Sequence, residues 1–263
     1  MSKYSELTNP DSGTSSEPGG WPRWLAEFGA GAGLWLILAG TIARRAGELG
    51  YDPRLTWLYA AALALQLEVL LLPLAAQTRL QPNGTGILGP IFRLWLGGTI
   101  AGAILAVADR GAPLEDWLAA RAVLLAVLSL IGTIGAVVAA WSERLSAGRL
   151  AITFSAILLA GGVFWTGGLP DCFSNLGGDD GQTWTTAAVW LSPGALAAKC
   201  LPTSDIALLP RVYNFWLGPV SPYPGRPGLV GSAVYGGLAL LMAELAWRGR
   251  RWSNRRRSKT EQV

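Results

Sequence analysis

The chain has 263 residues, 51% hydrophobic and only 14% charged, with 34 glycines, 13 tryptophans, two cysteines, two methionines and no histidine. So little charge is incompatible with a soluble domain of this length, and the missing histidine excludes bis-His haem ligation and a Ser-His-Asp hydrolase, while two cysteines exclude a four-Cys zinc site within one chain. The net charge of +4 does not indicate nucleic acid, because the excess lies in one tail, Arg248 to Lys259, directly after an apolar stretch.

The start, residues 1–20, is polar and rich in Ser, Gly and Pro, without the charged-then-apolar pattern of a signal peptide, and reads as a disordered cytoplasmic leader. Trp21, Trp24, Leu25 and Phe28 then fall at i, i+3, i+4 and i+7, with Pro22 near the first turn. Trp21, Trp24 and Phe28 are candidate interface anchors, either on an elbow helix along the cytoplasmic leaflet or at the aromatic start of the first crossing.

Six apolar stretches follow: Phe28–Ala43, Leu55–Gln77, Ile87–Ala108, Trp117–Trp141, Leu150–Thr166 and Gly228–Trp247. Most approach the ~20 residues that cross a bilayer. Backbone polar groups cannot stay unpaired in hydrocarbon, so Leu-, Ala- and Gly-rich spans of this length predict helices and an all-α, polytopic integral membrane protein with six transmembrane helices. The organisation expected is a leader (1–20), elbow and helices 1–5 (21–166), a long extracytoplasmic segment between helices 5 and 6 (167–227), helix 6 (228–247) and a basic cytoplasmic tail (248–263). Seven Lys and Arg in the tail put the C-terminus inside, and six crossings return the N-terminus to the cytoplasm (N-in/C-in). Arg44, Arg45 and Arg54 in the first outer loop oppose that bias, and Arg121 counts with the outer residues on this topology. Trp24, Trp57, Trp95, Trp117, Trp141, Trp165 and Trp247 stand near span ends, where anchoring at headgroup level is the expectation.

Glu68 lies in mid-span of the second stretch, two residues after Gln66, and an ionised carboxylate at that depth costs at least about 2.5 kcal/mol unless it is paired, protonated or facing a wet cavity. Glu68 and Gln66 are candidate pathway or coupling residues; the structural alternative is a bond from Glu68 to Thr99, Ser129 or Thr133 on neighbouring helices. Pro73 is expected to kink the inner end of helix 2, and Glu244 pairs with Arg248 at i+4. In the outer segment, Cys172 and Cys200 either form one disulfide across a loop of about 29 residues or remain two thiols. Asp179-Asp180 lacks the closing Glu of a calcium loop and reads as a solvated turn. The middle, Thr183–Leu201, is expected to form one or two short helices. No metal site and no cofactor are expected.

The segment Asp109-Arg-Gly-Ala-Pro-Leu-Glu-Asp-Trp117, followed by Leu124–Gly135, Ala139-Ala-Trp-Ser-Glu-Arg144 and Leu150-Ala-Ile-Thr-Phe154, resembles the middle of type-2 ABC exporter permeases. Trp190-Leu-Ser-Pro-Gly-Ala-Leu196 resembles the Asn-Pro-x-x-Ala-Leu segment of some such proteins, with Ser192 in place of Asn. The resemblance covers about Leu70 to Arg250. It implies six helices, a cytoplasmic elbow, a re-entrant outer hairpin, and a pathway between two permease subunits, helices 1, 2 and 5 forming the dimer interface. The turn Gln77–Gly86 occupies the coupling position but is short and lacks the family's acidic stretch; Arg79 is its candidate coupling residue.

No Gly-x-x-x-x-Gly-Lys-Ser/Thr occurs, so ATP hydrolysis would belong to a partner and the chain itself is not expected to be an enzyme. The resemblance implies a multi-pass subunit of an ATP-driven exporter in the cell inner (plasma) membrane, whose partners are membrane lipid, a P-loop ATPase and a second permease subunit, with no nucleic acid. The alternative is a non-transporting integral subunit or scaffold of a larger membrane complex.

Overall fold

The computed structural model describes residues 22–48, 53–81, 85–109, 114–173, 193–198, 200–201 and 227–260. The elements are α1 (Arg23–Glu48), α2 (Pro53–Ala76), a 3-10 turn (Gln77–Arg79), α3 (Leu88–Asp109), α4 (Leu114–Ser142), α5 (Leu145–Phe173), α6 (Pro193–Ala198) and α7 (Pro227–Thr260). There is no strand among the described residues. Trp21, the leader 1–20 and most of the outer segment, including Asp179, Asp180 and Ser192, lie outside them.

Four helices are long and apolar enough to cross a membrane, over Arg23–Arg45, Leu88–Leu105, Leu114–Ser142 and Gly228–Arg255. This is a membrane protein built from helices. Two further helices stand where the sequence places spans: α2, with 24 residues, and α5, whose stretch Leu145–Ala160 is apolar. Helix bounds differ from the apolar stretches in two informative ways. α1 runs unbroken from Arg23, so Trp24 and Phe28 belong to the same helix as the first apolar stretch. α5 continues through Phe173, taking in the first residues of the expected outer segment, and α6 is the described part of the short helices expected around Thr183–Leu201.

α4 is the hub. It packs against α2, α3, α5, α6 and α7, while α1 lies on α2 and α3. Burial follows: 61% of the α4 span is enclosed against 18% for α1 and 22% for α7, whose Leu229, Leu240, Leu36 and Ile37 side chains turn outward. Lipid tails are as apolar as those side chains, so the outer faces gain nothing by association and the bundle is held by close packing and polar contacts. Small residues allow the closest approach. A Cβ at Gly31 would fall on the Leu94 carbonyl and one at Gly97 on the Phe28 carbonyl, so α1 and α3 meet backbone to backbone.

Side-chain contacts fix which helix ends meet. Near the start of α1, Glu27 accepts from Arg93 Nε of α3 at 2.6 Å and lies 3.7 Å from Arg79 Nε of the α2–α3 turn. In that turn Gly86 adopts φ +91°, a left-handed conformation that suits glycine, close beneath the Arg79 carbonyl. Gln77 accepts from Thr153 of α5 at 3.2 Å, and Ser253 of α7 donates to Glu143, between α4 and α5, at 2.7 Å. The α1 start, the α2–α3 turn, the α4–α5 turn and the basic end of α7 are therefore neighbours. α6, the start of α4 and the start of α7 meet at the other end, where Gly228 abuts Ala119 and Cys200.

The crossing of α1 and α3 is directly testable. Gly31→Ala or Gly97→Ala should each cost about 1–3 kcal/mol through overpacking, read as a lower melting temperature in detergent. Gly29→Ala and Gly33→Ala, which meet open space on the same helix, should leave it unchanged or raise it.

Candidate functional site

Two ionisable side chains within the apolar helices, Glu68 of α2 and Arg121 of α4, face each other with no exposed surface on either. An unpaired charge at such a position would be strongly penalised, so each requires the other. Arg121 Nη1 donates to Glu68 Oε2. α3 supplies the remaining acceptors: Arg121 Nε donates to Thr99 Oγ1 at 2.9 Å and Nη2 to the Trp95 carbonyl at 2.8 Å. The planar fork of arginine suits this three-way capture, which a lysine ammonium could not reproduce.

Two tryptophans complete the enclosure. Trp95 Nε1 donates to the Arg121 carbonyl at 2.9 Å and Trp117 Nε1 to the Thr99 carbonyl at 3.1 Å. Their rings lie 5.9 and 5.4 Å from the guanidinium carbon, within cation–π range. Trp35 of α1 meets Trp117 edge to face, centroids 5.4 Å apart at 74°, the geometry favoured by the ring quadrupoles. Gly98 leaves the needed room, since a Cβ there would lie 2.7 Å from Glu68 Oε1 and 2.9 Å from Arg121 Nη2. Glu68 Oε1 and Trp35 Nε1 are buried without a hydrogen-bond partner in the structure. The pair thus ties α2 to α4 under a cover made by α3 and α1.

Several sequence expectations change here. Glu68 pairs with Arg121, not with Thr99, Ser129 or Thr133; Thr133 bonds back to the Ser129 and Leu130 carbonyls of its own helix. Arg121, within the stretch Trp117–Trp141 but counted among the outer charges, is a buried core residue seven positions into α4. Trp117, fully buried, and Trp95, half-buried, turn inward to the charge pair and do not act as interface anchors, because a buried guanidinium attracts aromatic faces and α3 and α4 each offer a carbonyl to the other's indole N–H. The missed signal was present in the chain: one acid and one base, each isolated in an apolar stretch, are natural partners.

The other candidates are dispersed. Gln66 Nε2 donates to the Ala160 carbonyl of α5 at 3.1 Å, a second polar tie from α2. Arg79 sits at the basic end with Glu27. Trp24 is exposed on the first turn of α1, and Phe28, half-buried, packs at the α1–α3 crossing. Cys200 is a free, buried thiol whose Sγ donates to the Leu196 carbonyl at 3.4 Å; the Cys172 side chain lies outside the described residues. Burial, and after it the nearby Asp116 carboxylate, push the Cys200 thiol up to about 12. Among the described residues no three Cys, Asp or Glu side chains gather as metal ligands.

The chain matches no family model, no curated protein and no solved structure. The site's chemistry accordingly rests on its own geometry.

Removing one member of the pair leaves a buried charge, so Glu68→Met or Arg121→Met alone should cost about 3–5 kcal/mol, whereas the double substitution should recover most of that loss. Melting of the four proteins in one detergent measures the coupling as a double-mutant cycle. In a Cys172→Ala background Cys200 should resist maleimide at pH 8 until the protein is unfolded, because its thiolate is scarce in the fold.

Proposed function

We propose that this chain is the membrane-embedded permease subunit of an ATP-driven exporter, with six transmembrane helices and both termini in the cytoplasm of a cell whose plasma membrane holds it. The observation that carries the reading is the Glu68–Arg121 pair. Ionisable residues inside spans are costly and commonly belong to transport pathways or to elements that switch between two arrangements. This pair joins α2 to α4, while Gln66 joins α2 to α5, so a shift of α2 would exchange polar partners with two helices together.

The cross-braced turn adds to it. A partner that pulled on the α2–α3 turn would act through Arg79 and Glu27 on α1, through Arg93 on α3 and through Gln77 on α5. Such a turn suits the coupling position in the resemblance to type-2 exporter permeases. ATP would be hydrolysed by a separate P-loop subunit. The outer loop between α5 and α7 would then lie opposite the basic end.

A second reading, a non-transporting integral subunit, is favoured by the full enclosure of Glu68 and Arg121, which suits a static brace. One strain set separates the two. In a strain lacking this protein, wild type should restore the export phenotype and co-purify in mild detergent with a P-loop ATPase. The double variant Glu68→Met/Arg121→Met, folded by its melting curve, should restore neither export nor ATPase stimulation. Full complementation by that variant, with no ATPase recovered alongside wild type, would sink the permease reading in favour of the brace.

A further inference from the structure

We infer that the stretch of α7 leaving the membrane, together with the α4–α5 turn, forms a binding site for the headgroups of anionic phospholipids. α7 has 34 residues, about 51 Å at 1.5 Å per residue, against a hydrocarbon core of about 30 Å. Its apolar part, Gly228–Trp247, spends that thickness. The next turn, Arg248 to Arg251, therefore lies within roughly 6 Å of the hydrocarbon edge, inside the headgroup layer.

The surface at that depth is charged in one sense and built with aromatic rings. Among the described residues, Arg248, Arg250 and Arg251 of this turn and Arg144 of the α4–α5 turn outnumber the acids beside them, Glu143 and Glu244. Both acids are engaged, Glu244 by Arg248 at 2.8 Å and Glu143 by Ser253 at 2.7 Å. Arg251 holds its guanidinium carbon 3.6 Å from the Trp247 ring centroid. Trp252 stacks on Trp141 at 5.9 Å and 29°, and the Trp141 indole donates to the Leu245 carbonyl at 3.2 Å. All three rings remain partly exposed, between 43% and 49%, as rings seated among headgroups are.

Arg250 is half-buried beside this cluster, and its Nε is covered without a hydrogen-bond partner in the structure. Its packing restricts the rotamers available to the guanidinium, which lowers the entropic cost of holding a phosphate. The nearest abundant anions at this depth are lipid phosphates, and a negatively charged headgroup adds to the attraction of each arginine. A soluble acidic partner would meet the arginines from beyond the headgroup layer, leaving the Trp rings without a role. The occupant is the anionic lipid.

The test is native mass spectrometry of the full chain, purified in mild detergent and offered phosphatidylglycerol, phosphatidylcholine or free glycerol phosphate. Wild type should retain phosphatidylglycerol at least threefold over phosphatidylcholine and should not retain glycerol phosphate. The variant Arg250→Gln/Arg251→Gln should lose that preference with an unchanged melting temperature in detergent alone. If Arg250→Gln unfolds the chain, Arg251→Gln alone, at an exposed position, should still lower the preference at least twofold. Equal retention of both lipids by wild type, an unaltered preference in both variants, or binding of free glycerol phosphate as strong as of the lipid would overturn the proposal. So would capture of an acidic soluble protein that is abolished by the variants while lipid retention is not.

Discussion

A guanidinium and a carboxylate shut away from both water and lipid impose more on this bundle than any apolar contact does. Neither charge is tolerable alone, so α2 and α4 must stand in the one register that lets Arg121 reach Glu68. The guanidinium then demands further acceptors, and α3 must present the Thr99 hydroxyl and the Trp95 carbonyl at bonding distance. Apolar faces in a bilayer slide past one another with small loss, because lipid replaces protein on equal terms. A hydrogen-bonded charge pair resists sliding, because any other register of α2 and α4 must offer both groups new partners.

That requirement explains the glycines and aromatics around it. Gly98 leaves space for both charged groups, and Gly31 with Gly97 lets α1 close over α3 so that Trp35 reaches Trp117. The aromatic rings do two things at once. They offer π-faces to the guanidinium and indole N–H groups to helix carbonyls, replacing water around a group that would otherwise be poorly solvated.

The polar core and the basic end are different parts of one mechanical unit. α2 carries Glu68 and Gln66 and leads directly into the turn held by Glu27 and Thr153. α2 therefore connects the pair to the end of the bundle that also holds the arginines and tryptophans of α7. For a transport subunit this is a route between an energy source and the span interior; for a static subunit it is a continuous brace.

The amino-acid sequence alone determined the class of the molecule, because hydrocarbon admits few backbone solutions and long Leu- and Ala-rich runs satisfy the helical one. It also determined that Glu68 was costly and that Glu244 would meet Arg248, since both are local facts of depth and helical spacing. Only the tertiary structure decided that Glu68 is answered by Arg121, 53 positions away, and that Trp95 and Trp117 turn inward to it. Helical periodicity cannot assign a partner among α2, α3 and α4, which are apolar nearly all round: no amphipathic face of theirs points to the core, and a span-end tryptophan looks the same whether it meets headgroups or a buried cation. The choice is made by the energy of the enclosed charge, and that energy exists only once α2, α3 and α4 have come together.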